Sequence, residues 1–104
     1  MSFDMGNVLK DMVGSVSDVV SDESGNIAGD TKSIFERQKA LMEELALALI
    51  DGLIDQEEFD EELQREKKVI EAELLTLQVM TKVMVQEAVN VAMNVFVNAV
   101  KVAI

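Results

Sequence analysis

The chain contains no Cys, His, Pro, Trp or Tyr. Without Cys there is no disulfide framework and no thiolate zinc site, and without His or Cys there is no Ser/His or Cys/His nucleophile pair and no haem ligand of the usual kind. A carboxylate-bridged di-iron bundle needs a Glu-x-x-His element on two of its helices, so that centre is excluded as well. No enzyme, cofactor or metal is therefore expected. A cysteine-free chain is also indifferent to redox poise and fits any compartment. Basic side chains are scarce: 9 Lys and Arg stand against 20 Asp and Glu among 104 residues, a formal charge of -11. Nucleic-acid phosphates and anionic lipid both require clustered Lys and Arg, so neither is an expected partner on electrostatic grounds. The opening Met1-Ser2-Phe3-Asp4-Met5 lacks a positive region followed by an apolar core, so no Sec signal peptide is expected. The expected location is the cytoplasm or an assembled particle or apparatus, with export by another route left open.

Hydrophobic residues make up 49% of the chain, and their periodicity organises it as one domain in three parts: residues 1–20, 21–32 and 33–104. In the first part Met5, Val8, Leu9, Met12, Val13, Val16, Val19 and Val20 follow the i, i+3, i+4, i+7 spacing of one helical face. Gly6, Gly14 and the Val and Ser residues lower its intrinsic helicity, so this amphipathic helix needs a surface to fold against. Residues 21–32, rich in Gly, Ser and Asp, read as a flexible linker.

A capping box, Ser33-Ile34-Phe35-Glu36, is expected to open a second helix that runs to about Ile50. Leu41, Leu45 and Leu49 form its apolar stripe, widened by Met42, Leu47 and Ile50. Asp51-Gly52 ends it, with Gly52 suited to a left-handed position. A second box, Asp55-Gln56-Glu57-Glu58, opens a third helix antiparallel to the second. Its acidic run Glu57, Glu58, Asp60, Glu61, Glu62 and Glu66 reads as a solvated face balanced by Arg65, Lys67 and Lys68. From Leu53 to Ile104 there is neither Gly nor Pro, so the sequence predicts one unbroken helix of about 50 residues, roughly 75 Å long. Two preceding helices of roughly 25 Å each would not flank it.

Beyond Leu74 only Lys82, Glu87 and Lys101 are charged. Gln86, Glu87, Asn90, Asn94, Asn98 and Lys101 fall within an arc of about 120°, leaving an apolar arc of roughly 240°. One neighbouring helix covers on the order of 100°, so this surface is expected to meet other copies, another protein or lipid. The candidate interface residues are Leu77, Met80, Met84, Val85, Val89, Val91, Ala92, Met93, Val95, Phe96, Val97, Val100 and Ile104. The polar stripe Gln86, Asn90, Asn94, Asn98 and Lys101 admits three readings: an exposed edge, the lining of a tube or pore, or buried amides that fix register between copies. Val83–Ile104 is long enough to cross a bilayer, at roughly 33 Å, although its polar residues would be costly against lipid.

The run Asp51-Gly52-Leu53-Ile54-Asp55-Gln56-Glu57-Glu58-Phe59 has the outline of half an EF-hand loop, but its first ligand positions fall on Leu47 and Leu49, which offer no side-chain oxygen. Together with the Leu-rich helix Leu41–Leu49 and the following Leu63, the same run resembles the short helical-hairpin domain called SHOCT. That resemblance covers about a third of the chain and implies an interaction module serving oligomerisation or binding, with no catalytic residues to carry over. The chain departs from the family pattern in continuing for about 30 further residues of apolar helix. The expected protein is thus all-α and non-enzymatic, a structural subunit assembling with copies of itself as a helical bundle, ring, tube or filament through the apolar C-terminal helix. Secretion-needle and helical virion subunits are similar in architecture. A membrane-associated or pore-forming protein, and an adaptor docking on a larger assembly protein, are the alternatives.

Overall fold

The computed structural model describes residues 3–20, 26–78 and 80–104, with the side chains of 26–28 excepted. These residues form four helices: α1 Met5–Val20, α2 Asn26–Ile50, α3 Gln56–Thr76 and α4 Lys82–Ala103.

In α1, Met5, Val8, Leu9, Met12 and Val16 are buried along one face. Asp4 satisfies the first turn, where the Asn7 amide N–H donates to its Oδ1 at 3.3 Å and the Asn7 Nδ2 to its Oδ2 at 3.0 Å.

Helix α2 begins at Asn26, ahead of the expected start at Ser33. Ser33 and Glu36 are therefore not a capping box: the Ser33 hydroxyl donates back to the Gly29 carbonyl at 3.2 Å, and Glu36 lies 4.0 Å from Lys32 on the exposed surface. Residues 26–32, read as linker, are helical; residues 21–25 lie outside the described residues. Packing decides the earlier start, because Thr31 is fully buried in line with Ile34 and Phe35 and extends the buried stripe by a turn. Tertiary contact of this kind overrides the weak helix preference of a Gly- and Asp-containing segment.

At the other end of α2 the Gly52 N–H donates to the Leu49 carbonyl at 3.1 Å and the Leu53 N–H to the Ala48 carbonyl at 2.8 Å. Gly52 has a φ of 76°. This is the Schellman arrangement, which satisfies the last carbonyls and reverses the chain. Asp55 then caps α3, accepting from the Glu58 N–H at 2.8 Å.

The unbroken helix expected from Asp55 to Ile104 is not formed. Helix α3 stops at Thr76, with the Gln78 N–H bonded to the Leu75 carbonyl and Gln78 at a φ of 57°. Thr81 restarts the helix by accepting from the Met84 N–H at 3.2 Å. A non-glycine residue in the left-handed region costs about 1–2 kcal/mol. Folding back offsets this cost, because α4 then buries Val85, Val89, Phe96 and Val100 completely or nearly so, at about 1.5–3 kcal/mol for each large apolar side chain.

Each helix runs antiparallel to its neighbours. The N-terminal end of α1 meets the C-terminal part of α4, where the Phe3 and Phe96 rings stand edge to face at 6.2 Å. Gly6 lies beside Lys39 on α2, Arg37 on α2 bridges to Glu73 on α3 at 3.1 Å, and Phe59 at the start of α3 stacks on Phe96 at 6.1 Å. The result is an up-down-up-down four-helix bundle, 41 × 24 × 19 Å, with α1 and α3 flanking α4. Phe35, Phe59, Phe96, Met5, Met12, Met42, Ile70 and Leu74 fill its centre.

Candidate functional site

The break before α4 changes what its apolar face meets. Met80, Val85, Val89, Ala92, Met93, Phe96 and Val100 are buried within the single chain, and Leu77, Met84, Val91, Val95 and Val97 are half-buried, leaving Ile104 exposed. The covering surfaces come mainly from α1 and α3, so most of this face is met within the chain, while Val83, Val102 and Ile104 at the two ends of α4 stay exposed. Gln86, Asn90, Asn94, Asn98 and Lys101 all face outward. In the single chain the stripe is an exposed polar edge. By length and composition α4 is apolar enough to cross a membrane, with a mean hydropathy of 1.3 over its most apolar window, but its most apolar side is turned into the bundle.

A concavity lies elsewhere, along the seam between α2 and α3. It is a groove of about 480 Å³ whose apolar floor is Leu41, Met42, Leu45, Ala48 and Ile54. Leu41, Leu45 and Ala48 recur at i, i+4 and i+7, so α2 presents them as one continuous edge. Five carboxylates, Glu44, Glu58, Glu61, Glu62 and Glu66, line the same groove, and no Lys or Arg does. Glu62 is bonded to Arg65 at 2.6 Å on the exposed flank of α3.

Glu66 differs from the other four. Only 5% of it is exposed, and its Oε1 is buried without a hydrogen-bond partner. Burial, and secondarily the negative charge of Glu73, raises its pKa above the ordinary carboxylate value. The reason is positional: α3 buries Phe59, Leu63, Glu66, Ile70 and Leu74, so a carboxylate occupies a slot in the line of core residues. The acidic-run reading placed Glu66 on the solvated face. Its spacing of three from Leu63 and four from Ile70 is the signal that marks it as a core position.

Two further depressions flank α1. One, against α4, contains Phe3, Asp4, Val8, Asn98 and Val102. The other, against α2, contains Leu9 and Val13 with Lys10, Lys32 and Lys39. Among the described residues no group of three or more carboxylates is placed to hold a metal ion. Leu47 and Leu49, which stand at the ligand positions of the EF-hand outline, are in the last turns of α2. No family model matches the sequence, and no curated protein or solved structure matches it significantly.

Proposed function

We propose that the chain is a non-enzymatic structural subunit that works by associating with protein, first of all with copies of itself, by exchange of α4. The observation that carries this reading is the link between α3 and α4. It contains no Gly or Pro, yet it places Gln78 at a φ of 57°. Letting α3 and α4 run on as one helix relieves that residue. Helix α4 then leaves its own bundle and lies against α1 and α3 of a second copy, where the same contacts re-form. Reciprocal exchange closes a dimer; serial exchange gives a ring or filament. The likeness of the α2–α3 hairpin to SHOCT belongs to the same proposal, as an oligomerisation or binding unit. An adaptor docking on a larger protein is the second reading, favoured by the α2–α3 groove. Nucleic acid is not a proposed partner. Membrane association is a third outcome, which requires the bundle to open so that α4 can meet lipid.

The test is light scattering after size exclusion, detected by refractive index because the chain has no Trp or Tyr, at rising concentration and with liposomes in a parallel sample. Gln78→Gly tolerates the left-handed link and weakens a continuous helix by about 1 kcal/mol, whereas Gln78→Ala favours the continuous helix. The expected result is a wild-type homomer whose population rises with Gln78→Ala and falls with Gln78→Gly. An 11.5 kDa species at every concentration for all three proteins would sink the proposal, and co-flotation with the liposomes would favour the membrane reading.

A further inference from the structure

We propose that the groove between α2 and α3 docks a basic amphipathic helix of another protein, with its apolar side on Leu41, Leu45 and Ala48 and a Lys or Arg side chain reaching Glu66. This surface is separate from the α4 exchange, and the inference stands without it.

Three observations carry it. The first is the unpartnered carboxylate: Glu66 lines the groove, is 5% exposed and has a buried Oε1 with no hydrogen-bond partner. A buried charge is stabilised only by a counter-charge or donors, and the groove contains neither Lys nor Arg. A cationic side chain inserted from outside supplies both the charge and the N–H. The second is the apolar edge beside it, on which Leu41 remains 55% exposed. An edge repeating at i, i+4 and i+7 matches the ridge of another helix, the helix-in-groove mode of recognition. The third is the charge of the whole chain, -11, which draws a basic partner in. Within the chain, Lys10, Lys32 and Lys39 line a separate depression between α1 and α2, together with Glu36. A bare metal ion fits less well, since no carboxylate cluster among the described residues has ligand geometry.

The probe is a labelled synthetic amphipathic helix of Leu and Lys, compared by fluorescence anisotropy with a Leu and Gln helix of the same pattern. Binding is measured on the full chain and on Glu66→Gln, on the double variant Glu61→Gln with Glu62→Gln, and on a control double variant, Asp18→Asn with Glu87→Gln. The control removes two exposed charges from α1 and α4, and circular dichroism checks that each variant is folded. The Leu and Lys helix is expected to bind and the Leu and Gln helix to bind at least about tenfold more weakly, with each groove variant losing about tenfold and the control changing less than about twofold. Equal losses in groove and control variants would reduce the effect to net charge and overturn the site. Equal binding of the two peptides would overturn the cationic requirement, and no binding would overturn the docking itself. Sedimentation without peptide provides the last arm: a homomer that dissolves in the Glu61→Gln, Glu62→Gln variant would assign the groove to a second copy instead.

Discussion

Glu66 places a carboxylate where the neighbouring core positions of α3 carry Phe, Leu and Ile, and this has a measurable cost. Replacing it with Leu removes an unsatisfied buried group and fills the slot, so Glu66→Leu is expected to stabilise the fold by about 1–3 kcal/mol at neutral pH. The pH dependence has a definite sign. Because burial raises the folded pKa above the ordinary value of 4.5, the folded chain holds this proton more tightly than the unfolded chain does. The contribution of Glu66 is therefore most favourable below 4.5 and declines as pH rises from there through the raised folded value. Of the charged groups around it, Glu73 adds to the shift; Glu44 on α2 and Glu62 on α3 line the same groove, and Arg37 is paired with Glu73. Urea melts followed by circular dichroism at pH 7 and pH 4 should show the Leu variant's advantage shrinking in acid. An advantage that grows in acid would contradict the assignment of Glu66 as a buried, unpaired acid. Gly52 is the other residue with a sharp expectation. At a φ of 76° with open space around its Cα, Gly52→Ala meets no clash but incurs the left-handed penalty of about 1–2 kcal/mol. A loss well above that in the same melts would point to a contact the turn does not show.

At the scale of elements, the two ends of α2 separate what local sequence specifies from what packing decides. The C-terminal turn is written in residues next to where they act: Gly52 takes the left-handed position, and Asp55 supplies the oxygen for the Glu58 N–H. The all-α class and the inward stripe of α1 were legible for the same reason, since the 3.6-residue period is a property of the segment itself. The N-terminus of α2 was not, because Thr31 is drawn into the helix by the core against which it packs. Nor was the end of α3, where the gain from burying Phe96 and its neighbours lies in residues far along the chain. Only Thr81, as a cap, marks that restart locally. The groove was half legible: its Leu stripe and its acidic run were both visible, but not the burial of one member of the run, Glu66. The position of the α2 start can be tested with one substitution. A true cap at Ser33 would make Ser33→Ala cost about 0.5–2 kcal/mol. Inside a helix, with its hydroxyl bonded back to Gly29, the same change should be neutral or slightly stabilising, because Ala has the higher helix propensity. Asp55→Ala, by contrast, removes a working cap and should cost about 1 kcal/mol. Denaturant midpoints for the two variants, measured side by side, decide between the two starts.

For the molecule as a whole, the dominant electrostatic fact is the charge of -11 on a bundle only 24 × 19 Å in cross-section. At low salt the Debye length exceeds these dimensions, reaching about 30 Å at 0.01 M, so every carboxylate interacts with those on the far side. At about 0.15 M it falls to about 8 Å and the cross-bundle repulsion is largely screened. The opposing effect is small. The ion pairs among the described residues are Lys32–Glu36, Arg37–Glu73 and Arg65–Glu62, each with at least one strongly exposed partner, and pairs of that kind contribute about 0–1 kcal/mol. Salt therefore weakens little that is favourable and relieves a repulsion that acts on the compact state more than on the expanded chain. The thermal midpoint should rise by several degrees between about 0.01 M and 0.5 M sodium chloride, since about 1 kcal/mol shifts the midpoint of a domain this size by roughly 4–8 °C. The variant with Glu61→Gln and Glu62→Gln starts with less repulsion and should show a shallower salt dependence. A midpoint that falls with salt would mean that the ion pairs, not the excess acidity, govern the electrostatics of the fold. It would also weaken the case for an acidic groove waiting on a basic partner, because the field that draws such a partner is the same field that salt screens within the bundle.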